Sequence, residues 1–114
     1  MRDPKERIKD ILEAIDHIDR YSSQGRSKFE NDELIQSWFT RHLQIIGEAA
    51  RLIPEDVRQL APEVPWTKMI GMRHILVHDY FRIDTEIVWQ VVANELPRLK
   101  SALRNILKNL EINS

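Results

Sequence analysis

The chain has 114 residues, with 17 lysines and arginines against 18 aspartates and glutamates, and it contains no cysteine. A chain of this length matches one ordinary domain, which removes roughly two-thirds of its extended-chain surface from water on folding. The near-balance of charge excludes a global field that would draw it to nucleic acid or anionic lipid, so any polyanion site must be local, and the missing cysteine excludes disulfides, thiolate metal sites and a cysteine nucleophile.

The N-terminal stretch MRDPKERIKD carries no apolar signal-peptide core. No apolar run approaches the roughly 18 residues that a membrane span needs. The expectation is a soluble, cytoplasmic protein whose residues 1–114 form a single domain. Only three glycines punctuate the chain, while Leu, Ile, Glu, Lys and Arg dominate, which favours helices.

A first helix is predicted from Asp3-Pro4-Lys5-Glu6, where the aspartate can accept from orphan backbone N–H groups and proline suits the first helical position. Ile8, Ile11, Leu12, Ile15 and Ile18 then make one helical stripe. SSQGRS, residues 22–27, reads as a loop broken at Gly25. A second helix is expected from about Lys28 or Asn31 to Ile53, stopped by Pro54. Its apolar positions, Leu34 to Ile53, sweep roughly half the helical wheel, more than a one-sided surface helix requires. Two explanations stand: one flank faces a second subunit, or the helix lies deep between neighbours of its own chain. His42 falls inside this arc, and the ordinary reading there is a hydrogen-bonded core or interface residue.

PEDVRQLAPEVPW, residues 54–66, reads as a connector with a short helical turn around Glu55 to Leu60. Pro65 opens a third long helix carrying Trp66, Met69, Ile70, Arg73, Val77 and Tyr80. A final helix begins at Asp84 as N-cap, with Ile87, Val88, Val91, Val92 and Leu96 on one side and a kink at Pro97. Leu99, Ala102, Leu103, Ile106, Leu107 and Leu110 continue its apolar face. Nothing reads as strand. The predicted fold is an all-α bundle of four main helices.

RHILVHDY, residues 73–80, crowds an arginine, two histidines, an aspartate and a tyrosine onto the end of the third helix. His74 and His78 share a face, whereas Arg73 and His78 diverge by roughly 140° around the axis. Three readings are open. His74 and His78 have the spacing of two imidazoles gripping zinc from a helix, but neither a glutamate directly after His74 nor any cysteine completes the set. In a purely structural reading, His78 and Asp79 cap the helix end and Arg73 pairs with a surface carboxylate. In the third, Arg73 offers a bidentate fork to a phosphodiester and His78, titrating near neutrality, moves a proton.

Arg73, four residues, His78, one residue, Tyr80 resembles the R-x4-H-x-Y pattern of the HEPN superfamily, in particular the HepT-like toxins paired with minimal nucleotidyltransferase antitoxins. IGEAARLIP at 46–54, PWTKMIGMRHILVHDYF at 65–81 and IDTEIVWQVVANELPRL at 83–99 resemble that family's segments in its order. The resemblance implies a four- to five-helix bundle that dimerises so that two Arg/His pairs line one cleft. It also implies a metal-independent endoribonuclease without cofactor, acting on RNA rather than DNA or membrane. Carried over by position, His78 acts as general acid or base and Arg73 stabilises charge on the scissile phosphate. Tyr80 is then the residue to which a cognate nucleotidyltransferase antitoxin transfers AMP, silencing the toxin. The residue after the arginine is often asparagine in the family and here is His74, a supporting residue that either assists catalysis or only supports the fold, with Asp79 as a second supporting residue.

RNA supplies its own nucleophile, the ribose 2′-hydroxyl, so internal attack needs no metal-activated water and a 2′,3′-cyclic phosphate product is expected. Lys100, Arg104 and Lys108 recur every four residues on the last helix as a basic ridge, either an RNA contact or a solvated face. The non-enzymatic alternative is a helical module that binds a nucleotidyltransferase or a nucleotide without turnover.

Overall fold

The computed structural model describes residues 3–77 and 84–112, with side-chain detail throughout except at residues 72 and 74–77. Helix α1 (Pro4–Ser22) starts as its first residues dictate. Asp3 accepts from the Lys5 N–H at 2.8 Å, and Pro4 takes the first helical position, where a missing donor leaves nothing unsatisfied. Ile8, Ile11, Ile15 and Ile18 of the predicted stripe are fully buried, and Leu12 packs on its edge.

The loop expected over residues 22–27 is narrower than the sequence suggested. Ser22 closes α1 and Gly25, at φ +93°, precedes a short α2 (Arg26–Glu30). That backbone conformation suits a residue without Cβ. The extra turn has a packing reason: it carries Phe29 into the core, where its ring lies 5.1 Å from Phe39 and 5.5 Å from Trp89. The single helix expected from Lys28 or Asn31 onward is therefore split. Asp32 caps the second piece by accepting from the Leu34 and Ile35 N–H groups at 2.9 and 3.3 Å, and α3 runs Glu33–Arg51.

Helix α3 packs between α1 and α5 (Trp66–Val77). Two neighbours within the chain account for its wide apolar arc. Ile35, Phe39, Leu43, Ile46, Ala49 and Ala50 are buried, with Phe39 against Phe29 of α2, while Leu34, Ile45 and Leu52 stay exposed.

The connector contains α4 (Glu55–Arg58) and is tied at both ends. Arg58 Nη2 donates to the carbonyls of Ala50 and Arg51 at 3.3 and 3.0 Å at the end of α3, where the Ala50 carbonyl also accepts from the Ile53 N–H at 3.2 Å. The buried Trp66 indole donates to the carbonyls of Arg58 and Ala61 at 3.2 and 3.1 Å.

Helix α6 (Thr85–Gln90) starts on Asp84, which accepts from the Ile87 N–H at 3.1 Å as predicted. The interruption expected at Pro97 takes the form of a π-helical turn over Val91–Glu95, in which the Leu96 N–H donates to the Val91 carbonyl five residues back. A proline ring collides with the carbonyl four residues before it, and the wider turn relieves that collision. Helix α7 (Leu96–Ile112) follows, burying Leu96, Leu99, Leu103 and Ile106, and packs on α1. The described residues form an all-α bundle of α1, α3, α5 and the α6–α7 run, with no strand.

Candidate functional site

Helices α3 and α5 come close at Gly47. A Cβ there would meet the Met69 carbonyl oxygen at 3.1 Å and the Arg73 Cβ and N at 3.2 Å, tighter than ordinary contact, so the missing side chain lets the two backbones lie this near. The close approach fixes the origin of the Arg73 side chain beside the next residue of α3. Arg73 Nη1 donates to Glu48 Oε2 at 2.7 Å.

Glu48 is shared. Its Oε1 accepts from Arg51 Nη2 at 2.5 Å, and both partners hold it at the surface, where Glu48 and Arg51 are about half exposed and Arg73 about one-third. The hydrogen bond from Arg51 leads in holding the Glu48 carboxyl below the usual carboxylate range; burial opposes it, and the charges of Arg51, Arg73 and Arg7 add smaller lowering effects. Arg7, on α1, adds only a weak charge effect on Glu48 from across a groove of about 350 Å³ between α1 and α3. Both residues line that groove.

At the other end of the groove His17 of α1 stacks on His42 of α3, with ring centroids 4.8 Å apart, and Trp38 meets the His42 ring edge-on at 4.5 Å. The Trp38 indole donates to the His17 carbonyl at 2.8 Å. His42 is buried, as expected, but among the described residues neither of its ring nitrogens has a protein partner, contrary to the hydrogen-bonded residue that its place in the apolar arc suggested. Its neighbours are ring faces and edges rather than acceptors. Burial, then the charges of His17 and Arg41, lower the His42 pKa, partly offset by Glu13.

Among the predicted site residues, Arg73 lies in α5 with its guanidinium on Glu48, and His74 lies on the same helix with its side chain outside the described detail. His78, Asp79 and Tyr80 lie outside the described residues. The α7 ridge divides. Lys100 turns toward α1 and pairs with Asp16 and Asp19 at 3.1 and 2.9 Å, whereas Arg104 and Lys108 are exposed. Sequence reasoning missed Glu48, Arg51 and Arg7. The i, i+3 spacing of Glu48 and Arg51 was visible in IGEAAR, but their meeting with Arg73 and Arg7 depends on how three helices cross.

A family model described as "Ribonuclease HepT-like" matches residues 11–106. The chain belongs to the HepT-like ribonuclease family. Its relatives include a protein of Thermococcus cleftensis named "Probable ribonuclease HepT", 37% identical over 108 residues that cover 94% of this chain and 98% of the relative. Two proteins of Methanocaldococcus jannaschii are similar in the same way. "Putative RNase MJ1380" is 39% identical over 100 residues, covering 87% of this chain and 92% of the relative. "Putative RNase MJ1216" is 36% identical over 111 residues, covering 96% and 92%. No solved structure matches. The family match spans α3, α5 and the whole R-x4-H-x-Y segment, so the Arg73–Glu48 ion pair lies inside the matched region of a HepT-like protein.

Proposed function

We propose that this HepT-like chain is the toxin of a toxin–antitoxin pair, a cytoplasmic, metal-independent endoribonuclease that cuts RNA through Arg73 and His78. The observation that carries this reading is Arg73 itself, held by Glu48 at a surface where α3 and α5 touch, in a chain whose relatives bear ribonuclease names. A bidentate guanidinium at the surface, paired with a half-exposed carboxylate, is available to a phosphodiester.

In the proposed reaction the ribose 2′-oxygen attacks the scissile phosphorus, the 5′-oxygen leaves, and a 2′,3′-cyclic phosphate forms. His78 moves the proton, His74 and Asp79 support it, and Arg73 stabilises the charge that develops on the phosphoryl oxygens. The motif itself supports these roles, as does the place of Arg73 on α5. Silencing follows from AMP transfer by a cognate nucleotidyltransferase antitoxin. The Tyr80 phenol oxygen takes the adenylyl group from ATP with release of pyrophosphate, and the added phosphate and nucleotide then occupy the ground where RNA must bind. The whole chain acts as one domain and as a homodimer. Leu52 and Leu60, exposed beside the C-terminal end of α3, support an interface there. Arg104 and Lys108 on α7 are a secondary RNA contact, with Lys100 joining only by giving up Asp16 and Asp19.

The test is to incubate the unmodified chain, its mass showing no AMP, with cellular RNA in EDTA beside His78→Ala, and to map the new 3′ ends. Discrete cleavage ending in cyclic phosphate and abolished in the mutant is expected. Products ending in a plain 3′-hydroxyl would sink the mechanism, and absence of cleavage would turn the reading to a nucleotide- or partner-binding module.

A further inference from the structure

Among the described residues, the charges around Glu48 do not balance. One carboxylate faces Arg51 and Arg73 through direct ion pairs, so two guanidinium groups share one acceptor, and Arg7 lines the facing wall of the groove that Glu48 also lines. Asp10, one turn further along α1, and Glu13 beyond it also line the groove, so the excess of guanidinium groups is confined to the Glu48 end. The three arginines come from three helices, α1, α3 and α5, whose mutual positions are set by core packing.

The arginines are also pre-positioned. The close approach at Gly47 fixes Arg73, and the hydrogen bonds from Arg58 to the Ala50 and Arg51 carbonyls anchor the backbone that carries Arg51. Their shared partner is exchangeable, because ion pairs between half-exposed side chains hold weakly and are screened by salt. A phosphodiester presents the same forked acceptor geometry as a carboxylate.

We propose that Arg7 and Arg51 form a phosphate subsite for the RNA nucleotide next to the scissile one, at the mouth of the α1/α3 groove, with Glu48 acting as the placeholder that RNA phosphate displaces. The inference rests on the ribonuclease reading and deepens it. Arg73 grips the reacting phosphate while Arg7 and Arg51 hold a neighbouring one and fix the register of the strand. Glu48 keeps the Arg51 and Arg73 guanidinium groups gathered until RNA arrives.

The experiment measures binding of a 2′-O-methyl oligoribonucleotide, which lacks the attacking hydroxyl and cannot be cut, as a function of salt. It compares the unmodified chain with Arg7→Ala, Arg51→Ala and Glu48→Gln, each checked for helical content and melting. Each arginine variant is expected to weaken binding on the order of tenfold at low salt. Each should also reduce the slope of log affinity against log salt by about 0.7, the increment that one neutralised phosphate contributes on a single strand. Glu48→Gln is expected to bind several-fold more tightly. Unchanged affinity and slope in both arginine variants would overturn the subsite, and weaker binding by Glu48→Gln would overturn the placeholder role.

The two readings fail differently. If the unmodified chain neither binds nor cuts RNA, the ribonuclease reading falls and the subsite with it. If it cuts RNA and the Arg7 and Arg51 variants bind like the parent, the subsite alone falls.

Discussion

Two basic regions of this molecule look alike in sequence and differ in charge balance. On α7, Lys100 sits between two carboxylates, Asp16 and Asp19, which raise its pKa through hydrogen bonds and charge and consume its attraction for a polyanion. On α3 the proportions reverse, and one carboxylate, Glu48, is shared by Arg51 and Arg73. A cation outnumbered by its acidic partners serves the fold, and a carboxylate outnumbered by guanidinium groups leaves charge for a ligand. The number of lysines and arginines along a helix does not distinguish the two cases, because the neutralising groups come from other helices.

The strongest way to break this contrast is at Arg73. Arg73→Ala should lower RNA cleavage by about 10²- to 10³-fold, as for loss of a preorganised donor to a developing oxyanion, measured as single-turnover cleavage of a defined RNA. Arg73→Lys should rescue little, since an ammonium lacks the planar fork. Preserved cleavage in both would remove Arg73 from the chemistry.

Next comes the close approach that positions it. Gly47→Ala puts a Cβ 3.1 Å from the Met69 carbonyl oxygen and 3.2 Å from the Arg73 N and Cβ, so α5 must give by a few tenths of an ångström. Thermal and denaturant unfolding should show a loss of about 1–3 kcal/mol, the usual cost of overpacking. An unaltered stability would mean that the helices part freely there.

A smaller effect sharpens the comparison directly. Lys100→Ala should change affinity for 2′-O-methyl RNA less than Arg51→Ala does, although each removes one positive charge. Equal losses would show that RNA can strip Lys100 from Asp16 and Asp19, and would return the α7 ridge to the binding surface.

The smallest expected effect concerns His42. Its pKa is lowered in the folded chain, so the unfolded chain holds the proton more readily and folding is favoured while the imidazole is neutral. Stability should therefore decline as pH falls below the ordinary histidine value of about 6.5, and flatten once the folded form is also protonated. The groups facing His42 are His17 and Glu13 from α1, with Arg41 and Trp38 from its own helix. His42→Phe keeps the ring stack and removes the titration. Its unfolding profile should be flatter than the parent's over that range, and an identical slope would assign the pH dependence elsewhere.

Much of the fold was legible because its signals are local. Asp3-Pro4, Asp84 and Pro97 announce two helix starts and one interruption through backbone donors a few residues away. The stripe Ile8, Ile11, Ile15, Ile18 declares a buried face through helical periodicity alone. The short α2 was not legible, since its reason is Phe29 meeting Phe39 and Trp89 across the core. Of the site, the motif beginning at Arg73 and the family it resembles were readable from residue types and spacing.

The sequence by itself thus determined the helix starts and the core-facing stripes, because helix capping and helical period act over a turn or two of chain, and it carried the R-x4-H-x-Y pattern as a run of residue types. Tertiary structure alone decided that Glu48 gathers Arg51 and Arg73, that Lys100 is spent on α1, and that His42 is buried with no partner for its nitrogens among the described residues. These outcomes depend on the register in which helices cross, fixed for α3 and α5 by the close approach at Gly47, and no local pattern encodes that register.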